Sequence, residues 1–249
     1  MKRLRFWLLV VTLSLVAWTT LGLEDARDLD AEEIVDRVNA AWQGDSFHGI
    51  MALDIVLGGQ TKSHRLEVWT LGEEMALIRV LEPEIDLNSG YLQSGDELWF
   101  YSPEVGSIKL PSMAIGDALF GAGPSLEDLS RGTLSDDYDV AVEGTETGYF
   151  LTLVPHPDAP VVYGKLEISV SSDYVMNRLV YYDQRGGVVQ TADFTDVIDV
   201  GDRRFATVIT IEDAYGDRTI QRIEDVQFDL DLDVAFFNLD TFESWGEGE

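Results

Sequence analysis

Residues 64–80 read HRLEVWTLGEEMALIRV, and the fold class follows from their pattern. Polar and apolar residues alternate from His64 to Trp69, the period of a half-buried strand. Leu71-Gly72-Glu73-Glu74 turns the chain, and Met75–Val80 runs on as the next strand. Upstream, Ile50, Ala52 and Asp54 fall on one side and Met51, Leu53 and Ile55 on the other, with Gly58-Gly59 as the turn. Three consecutive antiparallel strands joined by short hairpins are expected.

The same pattern recurs along most of the chain. Ser89–Gln93, the turn Ser94-Gly95-Asp96 and Glu97–Tyr101 predict another hairpin, followed by Ser107–Leu110. In the second half, Asp139–Glu143 is expected to pair with Tyr149–Val154. Strands over Tyr163–Val170, Val175–Tyr182, Val188–Val200, Phe205–Asp213 and Thr219–Asp229 follow. Asp233–Phe237 reads as a last helical turn. Ten or eleven strands are expected, and no linker with a composition shift divides them.

Two stretches break the pattern. Asp30 stands as a helix N-cap with Glu33 three residues on, and Ile34, Val38, Ala41 and Trp42 recur at helical spacing before Gly44 ends the run. One amphipathic helix, Ala31–Trp42, is expected against the sheet. Residues 111–135 are punctuated by Pro111, Gly116, Gly121, Gly123, Pro124 and Gly132. Between these lie Met113, Ala114, Ile115, Ala118, Leu119 and Phe120, and then a short helical turn, Ser125–Leu129. A long apolar loop inside a β protein points to a functional segment.

The chain of 249 residues begins MKRLR, continues with an apolar run from Phe6 to Ala17 and has its first acidic residue at Glu24. That is the layout of a signal peptide, with cleavage expected after Gly22 or, as an alternative, after Ala17. An uncleaved anchor is the other reading, although the apolar run is short for a membrane span. No cysteine is present, which excludes a disulfide and amino-terminal lipidation on cysteine. The sequence predicts residues 1–22 as the signal and 23–249 as one soluble, monomeric β domain in a periplasm or outside the cell. Three of the 17 basic residues lie in the signal, which leaves 14 against 46 acidic ones. Such a field repels nucleic acid. It suits a basic partner or a saline habitat.

The chemistry of an enzyme is missing. His48, His64 and His156 belong to no H-E-x-x-H motif, have no G-x-S-x-G serine nearby, and read as surface or turn residues. Gly121-Ala122-Gly123 lacks the lysine of a phosphate loop. Asp229-Leu230-Asp231-Leu232-Asp233 would place three carboxylates on one face if extended. It lacks the glycine and the twelfth-position glutamate of a calcium loop. No metal or cofactor is expected.

Several stretches together resemble a known family. They are Ala31–Val38 with Trp42, Arg79-Val80-Leu81-Glu82-Pro83, Gly90-Tyr91-Leu92, Gly95–Pro103, Ile108-Lys109-Leu110-Pro111 and Leu126–Leu129. Tyr163-Gly164-Lys165, Tyr181-Tyr182-Asp183 and Ile223–Val226 fit as well. In order and spacing the chain is similar to the periplasmic outer-membrane lipoprotein-sorting proteins, in the LolA-like branch found beside membrane exporters. The resemblance covers about residues 30 to 240. It implies a mainly β fold with a helical lid: a LolA/LolB-like half-open antiparallel β-barrel around an apolar cavity for acyl chains. Two departures stand near the implied cavity mouth. Gly121-Ala122-Gly123-Pro124 replaces the branch's G-S-D-F, and Glu84–Ser89 lacks its arginine-glycine pair.

On this reading the candidate cavity lining is Trp42, Met51, Leu53, Trp69, Leu77, Ile78, Tyr91, Trp99, Phe100, Met113, Leu119 and Phe120. Neighbours such as Leu77 and Ile78 point opposite ways along a strand, so some of these must pack outside. The lid candidates are Ile34, Val38, Ile115, Gly116, Gly121 and Gly123. The expected role is a carrier or chaperone for lipid or lipoprotein acyl chains, working between an inner-membrane exporter and an outer-membrane acceptor. The alternatives are an exporter scaffold that carries nothing and, further off, a hydrolase. For the fold, the rival is two packed sheets without a cavity.

Overall fold

The computed structural model describes residues 31–42, 44–111, 114, 119, 137–157, 159 and 161–245. The signal stretch, Asp30, and the candidates Met113, Ile115, Gly116, Phe120, Gly121 and Gly123 lie outside the described residues, as does Ser125–Leu129.

Helix α1 spans Ala31–Trp42. The strands are β1 (Ser46–Leu57), β2 (Gln60–Leu71), β3 (Met75–Glu82), β4 (Gly90–Ser94), β5 (Glu97–Ser102) and β6 (Gly106–Leu110). Beyond residue 137 come β7 (Tyr138–Thr145), β8 (Gly148–Pro155), β9 (Lys165–Ser171) and β10 (Met176–Tyr182). The chain continues through β11 (Val188–Val200), β12 (Arg203–Asp213) and β13 (Arg218–Phe228), and a short helix α2 (Leu239–Ser244) ends it. The described strands thus number thirteen rather than the ten or eleven expected.

All thirteen form one antiparallel sheet, in the order β6-β5-β4-β3-β2-β1-β13-β12-β11-β10-β9-β8-β7. Each half is a meander of hairpins, and the pairing of β1 with β13 joins the halves. The sheet does not close: β6 and β7, consecutive in the chain, are its two opposite edges. Residues 111–137 therefore connect one edge to the other. The rival of two packed sheets is excluded.

Local chemistry explains the turns and the curvature. Leu57 pairs with Gln60 across Gly58-Gly59, and both glycines have positive φ (54° and 81°), as a two-residue hairpin turn demands. Gly90 permits the close approach of β4 to β3, since a Cβ there would lie 1.8 Å from the Ile78 carbonyl oxygen. Register shifts interrupt β1 between His48 and Ile50 and β10 between Met176 and Arg178. Such bulges bend a strand and increase its twist.

Strand alternation sorts the side chains into two layers. On the inner face, Met51, Leu53, Ile55, Leu66, Val68 and Ile78 meet Leu151, Leu153, Leu166 and Ile168 in one buried core. Helix α1 lies on this core and contacts both β7 and β12. Ile34 and Val38 of the predicted face are buried there, Val35 is buried beside them, and Ala41 and Trp42 are partly exposed. On the outer face, a second cluster covers β2–β5. Leu77, Leu92, Tyr101 and Phe237 are its buried centre, and Trp69, Trp99, Phe236, Leu239 and Trp245 pack around it. The C-terminal segment from Leu232 onward thus seals the back of the first meander. Its start is capped twice: Asp233 Oδ1 accepts from Ala235 N (2.9 Å), and Asn238 Oδ1 accepts from Thr241 N (2.8 Å).

Two substitutions separate the two layers. Val38→Asp buries an unpaired charge under α1 and should lower stability by about 3 kcal/mol or more. Phe237→Ala should cost about 3–5 kcal/mol by opening the outer cluster. Urea unfolding of each variant checks both, and an unchanged midpoint in either would rule out the packing assigned to that residue.

Candidate functional site

The inner face is the candidate site, and the register shows which predicted residues share it. Met51 stands opposite Leu66, Val68 opposite Ile78, Ile78 opposite Tyr91, and Tyr91 opposite Phe100. Met51, Leu53, Ile78, Tyr91 and Phe100 therefore face the interior, and the rings of Tyr91 and Phe100 lie 5.3 Å apart. Leu119, from the segment joining the two sheet edges, is buried in the same core, and Ala114 packs against it.

Three lining candidates belong to the opposite face. Trp69 pairs with Leu77, Leu77 with Leu92, and Leu92 with Trp99, all one residue out of phase with the inner set. Trp69, Leu77 and Trp99 are thus corrected from cavity lining to outer packing, because a strand's side chains alternate between faces. Their burial comes from the C-terminal segment. Trp69 stacks on Trp245 (centroids 5.2 Å, 21°) and meets Phe236 edge-on (5.7 Å). Arg79 lies over the Trp245 ring at 5.2 Å and holds Asn88 Oδ1 through Nε (2.8 Å).

Trp42 sits at the open end of α1. It stacks on Phe205 (5.3 Å, 24°) and meets Phe194 edge-on (5.5 Å). Between α1 and β10–β12 lies a crevice lined by Val38, Ala41, Trp42, Met176, Phe194 and Phe205. Its empty volume is about 210 Å³, part of it open to solvent. The enclosed space within it is about 10 Å³, room for about one water molecule. Tyr174 and Arg204 stand among the polar residues at this crevice. Sequence reasoning drew its lining from the first meander and missed Met176, Phe194 and Phe205. The signal was present in the alternation of β10–β12.

Among the described residues, the acidic and basic groups near the sheet are engaged in structural contacts. Asp229 pairs with Arg203 (2.6 Å) and accepts from Asp45 N (3.0 Å), while Asp233 caps the final turn. The acidic run Asp229–Asp233 is therefore used residue by residue. Among the described residues no group of three or more metal-ligating side chains comes together. On the outer face, Asp54 accepts from the Ser63 hydroxyl (2.6 Å) and pairs with Arg222 (2.8 Å). These contacts, the hydroxyl first, hold the Asp54 carboxyl below its usual pKa.

His64 was read as a surface or turn residue, but it lies opposite Leu53 on the inner face and is half-buried. Burial pushes its pKa below the ordinary value of 6.5, Asp86 opposing and Lys62 adding to the shift. A depressed histidine pKa favours the neutral ring in the folded state. Its stabilising contribution is complete above pH 6.5 and is lost as pH falls through the lower folded value. His64→Leu should therefore lose less stability than the parent chain between pH 7 and pH 5. Urea midpoints at the two pH values decide this, and equal losses would refute the assignment.

Comparison with known proteins agrees with this architecture. No curated protein sequence matches the chain. A family model described as an uncharacterized protein matches residues 72–244, well over half of the chain. The fold is similar to the crystal structure of a LolA superfamily protein from Nitrosomonas europaea, with TM-score 0.69 and 22% identity, over 85% of this chain and 98% of that one. It is also similar to a candidate outer membrane lipoprotein-sorting protein domain from Vibrio parahaemolyticus (TM-score 0.71, 18% identity, 85% and 97% covered). A DUF1329 family protein from Desulfovibrio piger aligns with TM-score 0.74 at 18% identity, again over 85% and 97%. The half-open antiparallel barrel with its helical cover is thus a LolA-like fold. The chain belongs to the family whose model it matches over residues 72–244, and its fold is LolA-like.

Proposed function

We propose that this protein is a periplasmic, non-enzymatic carrier that takes acyl chains of lipids or lipoproteins onto the inner face of its sheet. The observation that carries the reading is topological. An unclosed sheet turns a continuous apolar face toward α1, and Leu119 and Ala114, which fall between the two edge strands in sequence, pack against that face. A sheet that only needed a core could pack α1 and close. One that admits cargo needs an apolar interior with a separable cover.

The rest of the molecule fits such a role. The signal-like start suits export to the periplasm as a single domain. None of the described helices is long and apolar enough to cross a membrane. Each methylene taken from water contributes roughly 0.8 kcal/mol, so a long chain needs no covalent or metal anchor. The crevice beside Trp42 is too small for a whole acyl chain, so loading requires α1 to move. Its inward contacts are the side chains Ile34, Val35 and Val38, which can exchange one apolar partner for another.

Two measurements test the carrier. Mass spectrometry of gently extracted native protein should find bound lipid. Purified, delipidated protein should take up a fluorescent fatty-acyl probe, with amide exchange in α1 changing on loading. Absence of lipid together with no probe uptake would reject the carrier and leave the exporter-scaffold alternative.

A further inference from the structure

The crevice at the end of α1 differs from the rest of the inner face in having a charged rim. One arginine, Arg204 on β12, is among its lining residues, and two more contact its surroundings: Arg37 on α1 and Arg203 on β12. The chain as a whole has 46 acidic residues to 17 basic ones. Arg203 is committed to structure. It donates to the Ala40 carbonyl at the end of α1 (2.5 Å), pairs with Asp229, and lies over the Phe228 ring at 4.4 Å. Arg37 pairs with Glu33 (2.6 Å) and donates to the Tyr174 hydroxyl (3.3 Å).

Arg204 is different. Its guanidinium is half exposed beside the apolar walls formed by Met176, Phe194 and Phe205. Nη1 is held by Asp173, whose carboxylate also accepts from the Ser171 hydroxyl. Nε faces Asp199 at 3.6 Å, beyond good hydrogen-bond length. Among the described residues Nη2 has no partner. The guanidinium is thus oriented, with donors to spare. Asp199 is 83% exposed and only loosely engaged. A cation with a free donor thus lines the apolar crevice, and a carboxylate with free acceptors stands beside that cation.

The backbone at the rim is also unusual. Tyr174 has φ +66°, a left-handed conformation that costs a bulky residue of order 1–3 kcal/mol. It is fixed by its N–H to the Ser171 carbonyl (3.0 Å) and by stacking on Tyr149 (5.6 Å, 13°). Tyr174 thereby lines the crevice while its ring stacks on Tyr149 of β8.

Charge decides which ligand this rim fits. A purely anionic amphiphile would meet one cation among several carboxylates on a chain of net charge −29. A neutral head group would leave the loose Arg204–Asp199 pair unused. A head group carrying both a phosphate and a primary ammonium matches both partners, phosphate on Arg204 and ammonium on Asp199. We infer that the crevice between α1 and β10–β12 seats the zwitterionic phosphate–ammonium head of an acyl lipid, with its alkyl chain entering beside Trp42. The inference rests on the carrier reading and specifies the class of its cargo.

Three single-chain probes with the same lauroyl tail test it, each below its micelle concentration: lysophosphatidylethanolamine, lysophosphatidylglycerol and monolaurin. Displacement of the fluorescent fatty-acyl probe measures their affinities. The zwitterionic probe should bind tightest. Arg204→Gln should weaken both phosphate probes about tenfold and leave monolaurin unchanged. Asp199→Asn should weaken the ethanolamine probe alone. Ala41→Leu, which fills the crevice from the helix side, should weaken all three. Thermal melts establish that each variant is folded, and a variant that is not is replaced by Arg204→Lys, Asp199→Ser or Ala41→Val. Equal affinity for the three heads, insensitive to Arg204→Gln and Asp199→Asn, would overturn the head-group assignment while the carrier stands. Full binding by a folded Ala41→Leu would move the tail elsewhere. No uptake of any acyl probe would instead remove the carrier reading itself.

Discussion

Phe47 opposite Phe228, Met51 opposite Ile223 and Ile55 opposite Thr219 join two meanders that otherwise pair only with their own neighbours in sequence. Asp54 and Arg222, 168 positions apart, carry the same junction across the outer face at 2.8 Å. Every other strand contact is a local hairpin with a small closure entropy; this one closes almost the whole chain. Its consequences are geometric. With β1 and β13 adjacent, β6 and β7 fall at opposite edges of the sheet.

Given that topology, the two meanders had to solve different packing problems. In the second, only the inner face is apolar. Outside, Lys165 bonds Glu167 (2.6 Å), which also accepts from the Tyr182 hydroxyl (2.6 Å), and such groups hold their own in water. In the first, β2–β5 are apolar on both faces, because Trp69, Leu77, Leu92, Trp99 and Tyr101 occupy the phase opposite to Val68, Ile78, Tyr91, Leu98 and Phe100. A two-sided apolar sheet needs two layers of cover. Helix α1 and Leu119 supply the inner one, and Leu232–Trp245 the outer one. The C-terminal segment is thus a requirement of the first meander's sequence. It also frees the inner face from being the sole source of stability.

Much of this was legible in the residues. Helix α1 and the succession of hairpins follow from period and turn chemistry, and Gly90 within its motif finds its reason in the Ile78 carbonyl that a side chain would strike. The face to which each aromatic belongs was not legible as a group. Alternation says that Leu77 and Ile78 part company, but only pairing with β2 and β4 says which one goes in. His64 looked like a turn residue because the length of β2 is fixed by its partner β1, which extends pairing to Leu57 and Gln60. Met176, Phe194 and Phe205 were missed for a related reason. Their convergence on Trp42 depends on the β1–β13 junction bringing distant strands under one helix, and no local pattern encodes that.

Charge placement completes the physical picture. Acidic residues are spread along the chain, yet the basic ones are concentrated where geometry needs them. Arg65 on β2 pairs with Glu224 on β13, and Arg222 on β13 pairs with Asp54 on β1 (2.8 Å each). Arg203 closes the end of α1 against β13 through Ala40 and Asp229. These pairs are partly exposed, so each adds little stability by itself. Their effect is orientation: with few cations available, each one selects a carboxylate and fixes a register. Arg204 departs from that rule, since its second carboxylate is held loosely and one of its nitrogens points to nothing among the described residues. In a chain this short of positive charge, an incompletely used guanidinium beside an apolar crevice is where a ligand's own phosphate can complete the coordination that the protein leaves open.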